Sequence, residues 1–196
     1  MKKSSPKVLI LVTALLTILS AACSTLSLST PESRRDFAEA VIENWSGYSR
    51  IQAARLMQEY GPPDQVKHAE LVWNNKGVWQ KIRVWDVTPY YDSNLGAANI
   101  EQTVAYSVPM GKRLEVLDFS RDIRISQDGT GISVRGTSEE SNFLRLNLAD
   151  EIVLGETSPE EARRIYARTL ALVSAGKSSP YLQGLLFASI LSQTTR

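Results

Sequence analysis

The apolar periodicity of the chain changes twice, and this constrains the fold more than any other feature. From Thr30 to Tyr60 apolar residues recur at helical spacing, from Val66 to Arg135 they alternate or run in short blocks, and from Thr137 helical spacing returns. Strands grouped between helices, without strand-helix alternation, argue for an α+β domain with an antiparallel sheet and against a doubly wound fold.

The individual signals give the elements. Thr30 as N-cap and Pro31 at the first helical position open a helix whose Phe37, Val41, Ile42 and Trp45 share one face and which Gly47 ends. A second helix, about Ser49 to Tyr60, turns Ile51, Ala54, Leu56 and Met57 inward and stops at Gly61-Pro62-Pro63, so the two form a helical hairpin. Val66 to Trp73 and Val78 to Asp86 flank Asn74-Asn75-Lys76-Gly77, whose glycine suits the left-handed position after a type I turn. Gln102 to Val108, Asp122 to Ser126 and Gly131 to Arg135 complete a sheet of about five strands, with a loop over Pro89 to Asn99 and a short helix over Gly111 to Phe119. Thr137-Ser138-Glu139-Glu140 is a capping-box signal for a helix that runs through Leu154 to Gly155. Ser158-Pro159-Glu160-Glu161 opens another, with Ala162, Ile165, Tyr166, Thr169, Leu170 and Val173 on one face before Gly176, and a last helix is expected from about Pro180 to Ser192. These C-terminal helices are expected to pack on the sheet.

Ahead of the first helix the composition is different. Lys2, Lys3 and Lys7 precede an uncharged run from Val8 to Ala22, shorter than the ~20 residues of a bilayer span and of signal-peptide length. The run leads through Leu19-Ser20-Ala21-Ala22 into Cys23, the only cysteine of the chain, so no intramolecular disulfide can form. This segment resembles the lipobox of bacterial lipoproteins, with Ser20 where the pattern usually carries a large aliphatic residue. The resemblance implies cleavage of residues 1–22 and lipidation of Cys23; the polar stretch that follows makes residues 23–30 the lipidated cysteine and a short tether, and the length of 31–196 suits a single domain. The seven residues from Ser24 to Thr30, as a flexible chain, span only ~15 Å, which would hold the domain close to the bilayer. Ser24, where inner-membrane retention prefers Asp, implies an outer-membrane destination facing the periplasm. Without Lys2, Lys3 and Lys7, 19 basic residues face 21 acidic ones. That balance gives no global attraction to nucleic acid.

Enzymatic motifs are sparse. His68 is the only histidine and falls within an expected strand, and the chain has no G-x-S-x-G elbow, P-loop, dinucleotide fingerprint or zinc-ligand spacing. No cofactor or metal is therefore expected, and no catalytic residue is assigned. Carboxylates are the remaining catalytic chemistry. Glu139 and Glu140 read as first-turn acids favoured by the helix dipole, and Asp150 and Glu151 sit beside apolar Leu148 and Ile152. Asn142 and Asn147 interrupt an apolar helical run, and buried amides need partners.

The aromatic pattern supplies the binding candidates. Trp79, Lys81, Arg83 and Trp85 alternate on one strand face, with Val78, Ile82 and Val84 on the other, and a turn centred on Asn75-Lys76 would set Trp73 opposite Trp79. Indoles stack on sugars or peptides and the cations favour anionic groups, while the same set packed under helices would be a stabilising cation–π ladder. Gln58-Glu59-Tyr60-Gly61-Pro62-Pro63-Asp64, leading into a strand that ends at Trp73, partially resembles, over residues 49–86, the helix-turn-strand module of small outer-membrane lipoproteins that accompany the barrel-assembly machine. Residues 142–166 resemble a stretch found in uncharacterised exported bacterial proteins. The expectation is a lipid-anchored envelope protein that binds another envelope protein. The alternatives are a glycan or peptidoglycan binder using the tryptophan strand and, third, a carboxylate-dependent hydrolase.

Overall fold

The computed structural model describes residues 30–87 and 98–187. Cys23 and its leader, most of the Pro89 to Asn99 loop and residues 188–196 lie outside the described residues. Five α-helices flank a six-stranded, wholly antiparallel sheet in an α+β arrangement: α1 (Pro31–Ile42), α2 (Gly47–Tyr60), β1 (Gln65–Lys67), β2 (Glu70–Lys76), β3 (Trp79–Trp85), β4 (Ile100–Ala105), α3 (Arg113–Phe119), β5 (Ile123–Ile125), β6 (Gly131–Gly136), α4 (Glu139–Leu154) and α5 (Pro159–Ser174). The strand order is β1-β2-β3-β4-β6-β5.

Capping decides the N-terminal hairpin. The Thr30 hydroxyl accepts from Ser33 N–H at 3.1 Å with Pro31 at the first position of α1. Gly47 does not end this helix but begins α2, because Ser46 caps it and accepts from Ser49 N–H. The buried stripe of α2 is Ser49, Ala53, Leu56 and Met57. A helical period of 3.6 then sends Ile51 and Ala54 outward, against expectation, and Ile51 is 62% exposed. Trp45 is buried just past α1 and donates from its indole to the His68 carbonyl at 2.8 Å.

The expected first strand is two. His68 and Ala69 form a turn, and Lys67 pairs with Glu70 across it at 2.6 Å, so β1 folds back on β2 and the sheet has six strands. His68 is exposed. The β2–β3 loop is Gly77-Val78, with Gly77 at φ 56°, as two-residue loops led by glycine require. This places Trp73 opposite Ile82 rather than Trp79. Moving the turn by an odd number of register steps moves Trp73 to the face of Ile82 and Val84.

Alternation then sorts the sheet. Leu71, Trp73, Ile82, Val84, Ile100, Gln102, Val104, Ile132 and Val134 are buried and share the helix-covered face. On the other face Glu70, Val72 and Asn74 neighbour Trp85, Arg83 and Lys81, followed by Glu101 and Thr103, then Arg135 and Ser133, then Arg124.

The C-terminal helices follow their caps. Ser138, not Thr137, caps α4, in a reciprocal box with Ser141, and Gly155 closes it in the left-handed region at φ 77°. Ser158 caps α5 with Pro159 first. Ala162 and Thr169 are buried, Ile165, Tyr166 and Leu170 are partly so, and Val173 at the expected face's end is exposed. Within the described part of the expected last helix there is only a 3-10 turn, Pro180–Leu182. Asn147 fixes this segment. Its amide donates to the Tyr181 and Gly184 carbonyls at 3.1 and 2.8 Å and its oxygen accepts from Leu186 N–H at 2.8 Å.

Candidate functional site

The five residues singled out on or beside β3 do not form one surface. Trp73 and Trp79 are 0% and 1% exposed, and each indole N–H has an acceptor inside the fold, Gly61 O at 2.9 Å and Glu139 Oε1 at 3.4 Å. Lys81, Arg83 and Trp85 lie on the open face. Strict alternation would keep Trp79 with them. The ladder instead skips the step between Asn74↔Lys81 and Lys76↔Trp79, where Asn75 is left-handed at φ 52°. Beyond that step Trp79 turns to the helices and stacks on Phe143 of α4 at 5.3 Å.

On the open face, charge is layered by depth. Glu70 and Glu101 are only 10% exposed at the side chain, whereas Lys67 and Arg124 are 59% and 70% exposed. Arg83 joins the two acids, 2.5 Å from Glu70 and 3.3 Å from Glu101, and Arg124 reaches Glu101 at 3.2 Å. Burial pushes the Glu70 carboxyl up, but hydrogen bonds and charge from Lys67 and Arg83 outweigh it and hold it below the ordinary carboxylate range. The guanidiniums of Arg83 and Arg135 lie 4.7 and 4.6 Å from the Trp85 ring. The strand positions of this face thus carry Lys67, Lys81, Arg83, Arg124 and Arg135 against Glu70 and Glu101, with the acids underneath. Solvent meets a positive surface.

The covered side holds a polar cluster centred on Glu139. Its carboxylate accepts from Tyr60 Oη at 2.7 Å, Gln102 Nε2 at 2.9 Å and Trp79 Nε1. Gln102 in turn accepts from Asn142 Nδ2 at 2.8 Å, and both amides are 0% exposed. Gly136 lets strand and helix meet here, since a Cβ at that position would lie 2.2 Å from Asn142 Oδ1. Burial pushes the Glu139 carboxyl above its ordinary value despite the Tyr60, Gln102 and Trp79 donors, and Glu59 adds to the rise. At Glu140 burial also pushes upward, but hydrogen bonds from its own backbone and Ser138, with Arg55 at 3.3 Å, bring the carboxyl below the ordinary range. Glu59, Glu139 and Glu140 line one cleft of about 190 Å³ with Gln52, Arg55 and Gln183.

Asp150 and Glu151 each accept from a tyrosine, Tyr106 at 2.5 Å and Tyr181. The Glu151 bond and then burial push the Tyr181 hydroxyl up to about 12. These contacts tie α4 to its neighbours. Among the described residues no group of three or more His, Cys, Asp or Glu could hold a metal ion, and no helix is long and apolar enough to cross a membrane.

Parts of both sites are not legible in the sequence. Arg124 and Arg135 join the open face only through β4, β5 and β6 pairing, which local pattern does not reveal. Glu139 reads as a cap acid because nothing local says that Tyr60, Trp79 and Gln102 converge on it. No family model, curated protein or solved structure matches the chain.

Proposed function

We propose that the chain is a lipid-anchored protein of the bacterial envelope that acts by binding, and that it holds an acidic envelope protein on the open face of its sheet. The observation that carries this reading is the layering of charge there: two nearly buried acids, half-buried Arg83 and Arg135 beside them with Trp85, and Lys67, Lys81 and Arg124 outermost. Such a surface steers an acidic partner and fixes its register. Anchoring follows from the resemblance at Cys23, and Ser24 directs the chain to the outer membrane. Each buried acyl methylene would contribute ~0.8 kcal/mol to the anchor.

Sugar stacking finds less support, because the Trp73 and Trp79 rings are enclosed and the Trp85 ring already contacts two guanidiniums. Hydrolysis is the second reading. It rests on Glu139 and Glu140, whose environments push neighbouring carboxyls in opposite directions beside one cleft.

Photocrosslinking in living cells tests the docking reading. A crosslinker at Lys81 should trap a partner that one at Arg168 on α5 does not, and Lys67→Glu combined with Arg124→Glu in the chain that carries the Lys81 crosslinker should abolish the adduct. Equal adducts from both positions would refute the assignment. Cys23→Ser should abolish labelling by a fatty-acid analogue, and persistent labelling would refute lipidation at that site.

A further inference from the structure

Where the end of α3 and the turn into β5 meet α4 and α5, a second cavity of about 360 Å³ opens, lined by Phe119, Ser120, Arg121, Asp122, Arg145, Arg163 and Tyr166. Three guanidiniums face one carboxylate. Arg145 reaches into it from α4 with its side chain only 15% exposed and its guanidinium 4.7 Å from the Tyr166 ring. One terminal nitrogen, Nη2, lies 3.3 Å from Asp122 Oδ2, while Nη1 is buried with no hydrogen-bond partner among the described residues.

A buried guanidinium N–H without an acceptor is costly, so the arrangement calls for an oxygen ligand. The other two arginines differ in how they are held. Arg163 is fastened by the Asp118 carbonyl at 2.7 Å and by the Asp118 and Glu160 carboxylates at 3.3 and 3.4 Å. Arg121 is exposed and meets no carboxylate among the described residues. Asp122 is 47% exposed, so solvent weakens its hold on Arg145.

We propose that this cavity is an oxyanion site that takes a phosphoryl group between Arg145 and Arg121. The guanidinium fork matches two phosphoryl oxygens, and a phosphoryl group, unlike a carboxylate, has a third oxygen for Arg121, which meets no carboxylate among the described residues. Nη1 lies beneath the cavity surface, so seating the anion turns the Arg145 fork outward, at the cost of its ion pair with Asp122. The shared chemistry is a phosphoryl oxygen, carried either by a free phosphate or phosphomonoester or by a phospholipid headgroup.

Calorimetric titration of the full chain at constant ionic strength, with inorganic phosphate in one arm and glycerophosphoglycerol in the other, tests the site and separates the sources. Saturable phosphate binding near about 1 mM is expected, weakened about tenfold in Arg145→Gln and by less in Arg145→Lys, which keeps the charge and loses the fork. Tighter binding of the diester assigns the site to a lipid headgroup, and tighter binding of the monoanion and dianion mixture of free phosphate assigns it to a soluble phosphate. Arg121→Ala, an exposed change that leaves the core alone, should also weaken binding, whereas Arg164→Ala, paired with Glu161 on the same helix as Arg163, should not. Saturation by neither compound, or equal affinity in wild type, Arg145→Gln and Arg121→Ala, would overturn the proposal.

Discussion

On the helix-covered face of the sheet, two tryptophans are enclosed, their indole N–H groups are satisfied inside the fold, and the polar groups among them, Glu139, Gln102 and Asn142, bond one another. On the open face Trp85 stays half-buried between guanidiniums, and the acids Glu70 and Glu101 are neutralised by long cations that reach over them from neighbouring strands. The same residue types serve packing on one side and charge display on the other. The difference lies in what screens them. Under the helices each polar group needs a protein partner, whereas on the open face water tolerates an excess of one sign.

The tryptophans test that contrast most strongly. Trp79→Ala removes a ring stacked on Phe143 and should cost ~3–5 kcal/mol in chemical denaturation, a large share of the ~5–15 kcal/mol a domain has. Trp85→Ala loses mainly two cation–π contacts at a half-exposed position and should cost about 1 kcal/mol. Equal losses would erase the distinction between the faces.

The polar cluster comes next. Asn142→Ala leaves the buried Gln102 carbonyl oxygen without its donor and should cost about 1–3 kcal/mol, more than removing an exposed amide. Gln102→Leu with Asn142→Leu removes both partners, and if shape is kept the double change should cost less than the two single changes added. Additive losses in that cycle would show that the amides act separately.

These two tests touch what the sequence did and did not disclose. The α+β class, the caps at Thr30 and Ser158, Gly155 and the order of elements were legible because each depends on residues within a few positions of one another. Burial of Trp79 under the helices is one of the two readings its sequence allows, but alternation also groups it with Lys81, Arg83 and Trp85, and the structure separates it from them because alternation assumes an unbroken ladder, which the left-handed Asn75 interrupts. The Ile51 assignment failed on phase. Several apolar residues of α2 allow more than one buried stripe, and only the sheet beneath it selects Ser49, Ala53, Leu56 and Met57. The open face was half legible: Lys81, Arg83 and Trp85 are visible along β3, but Arg124 and Arg135 arrive by pairing between strands distant in sequence.

Acid and base titration should separate the faces by sign. Glu139, held up by burial, binds its proton more tightly folded than unfolded, so its contribution is fully present below the ordinary carboxylate value and is lost as pH rises through the raised folded value. Glu70, held down by Lys67 and Arg83 against its burial, contributes stability above the ordinary value, and this is lost as pH falls through the depressed folded value. Denaturation midpoints followed across pH should lose the first slope in Glu139→Gln and the second in Glu70→Gln. A Glu139→Gln curve that still falls on the rising side would mean that another group carries the effect.

The smallest effect on folding is expected at Arg124, and it bears most directly on binding. Its side chain is 70% exposed and its one ion pair among the described residues, to Glu101, is shared with Arg83, so Arg124→Ala removes a contact that solvent screens and that a second cation replaces. The stability change should stay within about 0.5 kcal/mol. Removal of an outermost cation nevertheless lowers the positive potential of the face, so association with an acidic partner should slow, and the slowing should shrink as salt screens both forms. Stopped-flow association at two ionic strengths, wild type against Arg124→Ala, reads this directly once the partner trapped through Lys81 is in hand. A rate unchanged at low salt would refute the proposed docking on this face, because a face that works through its outermost charge cannot lose one of five cations without losing encounter rate.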